Sequence, residues 1–440
     1  MVQEKTGSLV QRLLRLAWPV ALARLGIMGM GVVDVMVVGQ LAPQQLAWQA
    51  LGWTPINVLV VSGIGLLFGV QVLAAKALGA GAPHEAGGAW RRGLFVAAVA
   101  GVFASCAVWI LGAHLFSAFG IGDELAQHSA RVSGILALSV PTYLVYVTCS
   151  FFLEAVQRPF ASTVAMWGTN AVNLVLNLLL VPRFGAEGSA WCTVGARLFL
   201  AVLMVVWILR LPEAERFGLR QRGRGPSWSA LLGVGAATAV SNAAESGAFS
   251  GMTILAGRLG ADAVASYQIL LNLLAIVFML SLGVSSATSV LTAEAVGRKV
   301  PADATRATFT GLAVNSGVML VVALLVLTFA PSIGRAYTAN LLLAGSVSAL
   351  LWLASLIVLP DGGQVVAAAA LRARGDNWFP TASHLLAYAA IMPALGYALA
   401  EAQRRGVAGL MLAILGASVV SFVVLCGRLI WLSSRAKAMP

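Results

Sequence analysis

Charge is scarce in this sequence. Of its 440 residues only 10% are Asp, Glu, Lys or Arg, and the acids number sixteen, whereas a soluble globular chain carries about 25% charged residues. A chain so poor in charge is expected to turn most of its surface to lipid. Cysteine is scarce too: Cys106, Cys149, Cys192 and Cys426 are scattered through apolar runs, without the paired or metal-type spacing that marks a disulfide framework or thiolate site. The four histidines, His84, His114, His128 and His384, are isolated, and there is no HExxH or paired acidic metal motif, which argues against an intramembrane enzyme. No filter-like loop recurs, which argues against an ion channel.

What is present is apolar. Hydrophobic residues make up 60% of the chain and the mean hydropathy is +0.90. A bilayer is crossed by about 20 apolar helical residues. Twelve such segments are expected, at 13–38, 46–76, 91–113, 132–155, 161–182, 188–210, 229–257, 264–296, 306–330, 341–372, 379–400 and 407–432. The longest polar break, Leu211 to Trp228 with Arg216, Arg220, Arg222 and Arg224, falls midway and reads as a linker (211–228) between an N-lobe (1–210) and a C-lobe (229–440). The net charge of +12 forms no single stripe of the kind nucleic acid requires. It follows topology instead. With the N-terminus inside, twenty basic residues, from Lys5, Arg12 and Arg15 to Arg435 and Lys437, lie on the cytoplasmic side. Only Arg131, Arg183, Arg258, Arg335, Arg404 and Arg405 lie outside, so the positive-inside rule puts both termini in the cytoplasm. The basic start followed by an apolar run superficially resembles a signal peptide, but 13–38 is too long for a signal core.

The two halves repeat each other. At a constant offset of 218 residues GQLAPQQLA from Gly39 aligns with GRLGADAVA from Gly257, and VLAAKALG from Val72 aligns with VLTAEAVG from Val290. The same register places Leu153 over Leu371 and Thr163 over Thr381. Because the offset spans six helices, an even number, the repeats are expected to be parallel and related by an axis along the membrane normal, with a cleft between them. That is transporter architecture.

Three acids fall inside the expected helices: Asp34, Glu245 and Asp361. An acid at a helix centre costs roughly 2.5 to 3.5 kcal/mol on insertion scales, so it faces a partner or a cavity and marks an ion pathway. The alternative is a structural ion pair with an intramembrane arginine, Arg24 or Arg197. Asn173 and Asn177 are four apart and share a helix face, as do Thr193 and Arg197. Their oxygens suit a small-cation site around Asp34, or hydrogen bonds between helices. Pro19 and Pro360 each remove a backbone donor and tend to bend a helix. Met30, near Asp34, is either an adaptable cavity wall or core packing.

These residues resemble the multidrug and toxic compound extrusion (MATE) family, in its NorM-like branch, over nearly the whole chain. Pro19 with VDVMVVGQL from Val33 is similar to the family's first helix. NLVLNLLLV from Asn173 and GSAWCTVGAR from Gly188 resemble its helix 5 and 6 patterns, and ESGAF from Glu245 and DGGQVVAAAALRARGDNWFP from Asp361 resemble the branch's helix 7 and 10 signatures. The resemblance implies twelve transmembrane helices in two pseudo-symmetric six-helix lobes, an all-α polytopic membrane protein. It implies a cation-coupling set in the N-lobe (Asp34, Asn173, Asn177, Thr193) and a cation or substrate set in the C-lobe (Glu245, Asp361). ASYQI from Ala265 resembles the family's AAHQI, which makes Gln268 a cavity residue. Ile357 stands one turn before Asp361, where the branch often has a tyrosine.

The expected function is efflux of organic, often cationic, compounds by antiport with H+ or Na+, through alternating access in the cell inner membrane. The chain is expected to act as a monomer in the lipid bilayer, not as an enzyme, with no cofactor and no metal beyond Na+, and without nucleic acid. A flippase for a lipid-linked precursor is the alternative within transport, but its cavity would be basic, whereas the buried charge here is mainly acidic.

Overall fold

A computed structural model describes residues 6–118, 122–221, 225–338 and 340–438. Of the residues used in the charge analysis, Lys5, Arg222 and Arg224 lie outside the described residues. Every regular element described is helical. In chain order these are α1 (Thr6–Leu41), α2 (Leu46–Gly79), α3 (Pro83–Ala118), α4 (Asp123–Ala137), α5 (Ser139–Ala155), α6 (Phe160–Leu209) and α7 (Trp228–Arg258). After them come α8 (Ala261–Gly297), α9 (Pro301–Thr328), α10 (Ala330–Tyr337), α11 (Leu341–Ala373) and α12 (Trp378–His384). The chain then widens into π-helix over Leu385–Ile391, continues as α13 (Met392–Gly396), widens again over Tyr397–Ala402 and ends in α14 (Gly406–Ala438). Both α1 and α11 run unbroken through Pro19 and Pro360.

Length dictates how α6 must be read. Its 50 residues would extend about 75 Å at the helical rise, far beyond the ~30 Å of a bilayer's hydrocarbon. The reversal comes at Gly185, whose φ of 56° and ψ of −134° interrupt the helix. There the Gln45 side chain accepts a hydrogen bond from the Ala186 amide at 2.8 Å. Two limbs result, one ending near Pro182 and one continuing to Leu209, which are the two helices expected at 161–182 and 188–210. Ten helical segments among the described residues are long and apolar enough to cross a membrane, with α6 counted once and α7 outside that group. Separating the limbs of α6 and adding α7 gives twelve.

Apolar side chains cover the outside as well as the core. On α3, Phe95, Val99, Val102, Phe103, Trp109 and Ile110 are all more than half exposed. Their three- and four-residue spacing puts them on one stripe, a face that water would penalise and hydrocarbon accepts.

The described chain forms two compact units, one of Leu22–Ala239 and one of Met1–Ala21 with Val240–Pro440. The changeovers at Ala21 and Ala239 fall within α1 and α7. Residues after α6 belong to the first unit, where the Gly87 amide bonds the Phe217 carbonyl at 2.9 Å and Phe217 meets Phe152 edge-on. In each unit the helices keep the same neighbours: α5 packs on α2, α3 and α6, as α11 packs on α8, α9 and α14.

The 218-residue register persists in the fold. Gly79 ends α2 and Gly297 ends α8, while Pro83 opens α3 and Pro301 opens α9. Even the left-handed backbone positions correspond: Gly81 (φ 73°) with Lys299 (φ 59°), and Gln157 (φ 61°) with Gly375 (φ 90°). Each pair sits in a loop that reverses the chain, and only one member of each is the residue for which that conformation carries no steric penalty.

Candidate functional site

In the Leu22–Ala239 unit, α1 and the two limbs of α6 converge on Asp34. Asn177 Nδ2 donates to Asp34 Oδ1 at 2.8 Å, and Thr193 Oγ1 donates to Oδ2 at 2.9 Å. Asn177 Nδ2 also approaches Asn173 Oδ1 at 3.2 Å. Asp34 and Thr193 are each 1% exposed, and Asn173 and Asn177 are wholly buried. Both carboxylate oxygens are therefore held by neutral donors inside the protein, while Asn177 Oδ1 and Asn173 Nδ2 are buried without partners. Carboxylate, amide and hydroxyl oxygens are hard donors suited to a small cation, and an unpartnered buried acceptor is costly unless something satisfies it.

No ion pair joins Asp34 to an arginine among the described residues. Arg24 instead reaches Glu154 Oε1 at 3.4 Å. Glu154 is 3% exposed, and also accepts from Gln71 Nε2 at 2.6 Å and Ser150 Oγ at 2.9 Å. Arg197, one turn beyond Thr193, donates from Nη1 to Ser139 Oγ at 2.9 Å. Its guanidinium lies 4.4 Å from the Tyr143 ring centroid and 5.1 Å from that of Trp53, a cation–π cradle that holds its charge beside the Asp34 cluster. Met30, one turn before Asp34, is buried.

In the second unit Asp361 is half-buried on α11. Its Oδ1 accepts from Ser418 Oγ on α14 at 3.2 Å and from Tyr388 OH at 3.3 Å. Ile357, one turn earlier on α11, is wholly buried, so the phenol on this acid comes from the π-helical stretch of a neighbouring element. Glu245, on α7, is close enough for its charge to act on Asp361 and on Arg372. Gln268 is exposed on α8 and has no hydrogen bond to either acid.

Sequence reasoning missed several partners. Tyr388, Ser418 and His384 come from elements far along the chain from Asp361 and Glu245, and no short-range pattern links them. Glu154 and Arg372 sit in the last turns of α5 and α11, where position suggests a solvated helix end. Both are buried. A signal existed for Glu154: an acid following a long apolar run needs a cation, and Arg24 is one of the two arginines, with Arg197, that fall well inside the expected helices.

Comparison with known proteins follows the same lines. The family model MatE matches residues 19–179 and 237–398. A probable multidrug resistance protein NorM of Caulobacter vibrioides is 39% identical, over 93% of this chain and 88% of its own. The multidrug resistance protein PmpM of Pseudomonas aeruginosa is 28% identical, over 76% of this chain and 72% of its own. Among solved structures the eukaryotic MATE transporter AtDTX14 superposes with a TM-score of 0.89 at 18% identity, covering 97% of this chain and 96% of its own, a likeness of fold. The protein is a multi-pass, all-α membrane protein.

Proposed function

The chain belongs to the MatE family, in the NorM-like branch of its transporters, and on that premise we propose that it exports organic, often cationic, compounds in exchange for H+ or Na+. It is a transporter and not an enzyme. In this reading it works as a monomer in the inner membrane with both termini cytoplasmic, its lobes 1–210 and 229–440 joined by 211–228 and alternating access between the two sides. The observation that carries the exchange reading is the buried carboxylate of Asp34, bound by Asn177 and Thr193 and, among the described residues, without an arginine ion pair. An anion held only by neutral donors retains its charge for a transported cation, and at one such group a coupling ion and an organic cation compete. Relatives named for multidrug resistance support the substrate class. A flippase cavity built for pyrophosphate would gather arginines, and here the two arginines of the Asp34 unit's interior, Arg24 and Arg197, are tied to Glu154 and Ser139.

Proteoliposomes settle the reading. Purified protein is expected to expel ethidium when an inward H+ or Na+ gradient is imposed, and Asp34→Asn is expected to remain folded and lose coupled efflux. Transport indifferent to both gradients would falsify antiport; a wild-type rate in Asp34→Asn removes that carboxylate from the mechanism.

A further inference from the structure

The Val240–Pro440 unit buries more polar chemistry than two acids need. His384 is 3% exposed and shares a hydrogen bond of 2.5 Å between Nδ1 and Ser241 Oγ. Its other nitrogen, Nε2, is buried without a partner. Ser241, wholly buried, stands one helical turn before Glu245 on α7, on the same face. On its own helix His384 is followed one turn later by Tyr388. The two rings are nearly perpendicular with centroids 5.8 Å apart, and the Tyr388 hydroxyl touches both Asp361 and Ser418. Arg372, 5% exposed, leaves Nε and Nη2 unpartnered, and its charge acts on both Glu245 and His384.

These groups form a succession. Asp361 and Arg372 lie on one helix, eleven residues and therefore about 16 Å apart, too far for direct transfer. Tyr388 touches Asp361 at one end, Glu245 and His384 lie within electrostatic reach of Arg372 at the other, and Ser241 bonds His384. The element carrying His384 and Tyr388 passes from α-helix to π-helix between them, a departure found frequently at functional sites.

We propose that His384, acting with Ser241, is a proton relay serving Glu245 and Asp361 from the Arg372 end of α11, the cytoplasmic end in the orientation proposed above. Neutral imidazole carries a donor on one ring nitrogen and an acceptor on the other. For release to the cytoplasm, the proton of the Glu245 carboxyl passes to the Ser241 oxygen, the Ser241 proton passes to Nδ1, and Nε2 gives up its own proton to water. One proton is released overall, three N–H or O–H bonds breaking as three form, and the relay resets when the ring returns to its first tautomer. The groups acting on His384 are Arg372 from α11, Ser241 from α7 and Tyr388 from its own helix, with Glu245 one turn beyond Ser241 on α7. From α14, Ser418 reaches Tyr388, while Arg428 is engaged with Asp376 and the Phe379 ring.

The inference rests on the H+ form of the exchange reading. Its test uses full-length protein in proteoliposomes, with ethidium as the probe and wild type, His384→Gln, His384→Ala and Ser241→Ala compared. Expected are a tenfold or greater slowing of pH-driven efflux in both His384 variants, a smaller slowing in Ser241→Ala, and ethidium Kd within twofold of wild type. Added imidazole is expected to restore His384→Ala towards wild type measured in the same imidazole, a rescue that a merely structural side chain would not show. A full rate in His384→Gln overturns the relay alone. Loss of binding together with transport, without imidazole rescue, overturns it in favour of a packing role. A wild-type protein that ignores the pH gradient overturns the H+ reading itself, and the relay with it.

Discussion

The two units share a scaffold and differ in how each treats buried charge. Around Asp34 every partner is a neutral donor, and the nearest cation, Arg197, is held away by Ser139, Tyr143 and Trp53. Around Asp361 the partners are hydroxyls, with a second acid, Glu245, within electrostatic reach, and that acid in turn feels the buried Arg372. The register sharpens the contrast: Asp361 falls on Tyr143, Asp34 on Met252 and Glu245 on Ile27. One scaffold position thus carries an anion in one unit and, in the other, the aromatic ring that faces a cation. The packing shows the same exchange. A Cβ on Gly63 would collide with Leu144, and a Cβ on the register partner of Leu144, Gly362, would collide with Ser281, the partner of Gly63. Large and small have traded sides of one contact, and an apolar filler has become a hydroxyl. Duplication of the backbone has left the chemistry of each unit free to diverge.

That asymmetry can be broken experimentally, beginning with the acids. Asp34→Asn is expected to abolish coupled ethidium efflux, whereas Asp361→Asn should leave measurable transport; equal losses in proteoliposomes would mean that both units couple alike. Next in size is the buried ion pair of the first unit, Arg24 with Glu154. Arg24→Met leaves Glu154 buried without its cation and is expected to cost about 3 to 5 kcal/mol, read as a lowered melting temperature in detergent. Arg24→Met combined with Glu154→Gln should recover part of that loss, and an unchanged melting temperature in the single variant would show the pair to be dispensable. Tyr388→Phe removes one of two hydroxyls from Asp361 and should cost about 1 to 2 kcal/mol there, seen as an approximately tenfold change in the concentration of cation needed to drive efflux. A larger effect than that of Asp361→Asn would mean the phenol acts on something else. Smallest are the left-handed positions. Gln157→Gly and Lys299→Gly should each stabilise by up to about 1 kcal/mol by relieving the αL penalty, offset in part by unfolded-state entropy, and a drop in melting temperature would count against that balance.

The helices were legible in the sequence because crossing hydrocarbon demands long apolar runs, and the constant register fixed their correspondence. The Asp34 cluster was legible for a related reason: Asn173 and Asn177 share one face by spacing alone, and Thr193 lies a short hairpin away. The second unit's partners were not, since Tyr388 and Ser418 meet Asp361 only through packing between α11, the π-helical stretch and α14. Arg372 was hidden by an assumption. A cation near a helix end is usually solvated, but here its side chain turns inward and is covered.

Gly185 lies eight residues from Asn177 and eight from Thr193. The chain from one to the other is a ruler folded at its midpoint, and the fold line is pinned by Gln45, a residue that never touches the carboxylate. Deleting one residue from either arm would turn that arm by about 100° and draw it about 1.5 Å along its axis. Asn177 or Thr193 would then face away from Asp34, with every functional residue still present in the sequence. The tolerance of this site is therefore set in units of chain length, and an insertion or deletion in 178–192 should be more damaging than any single substitution there.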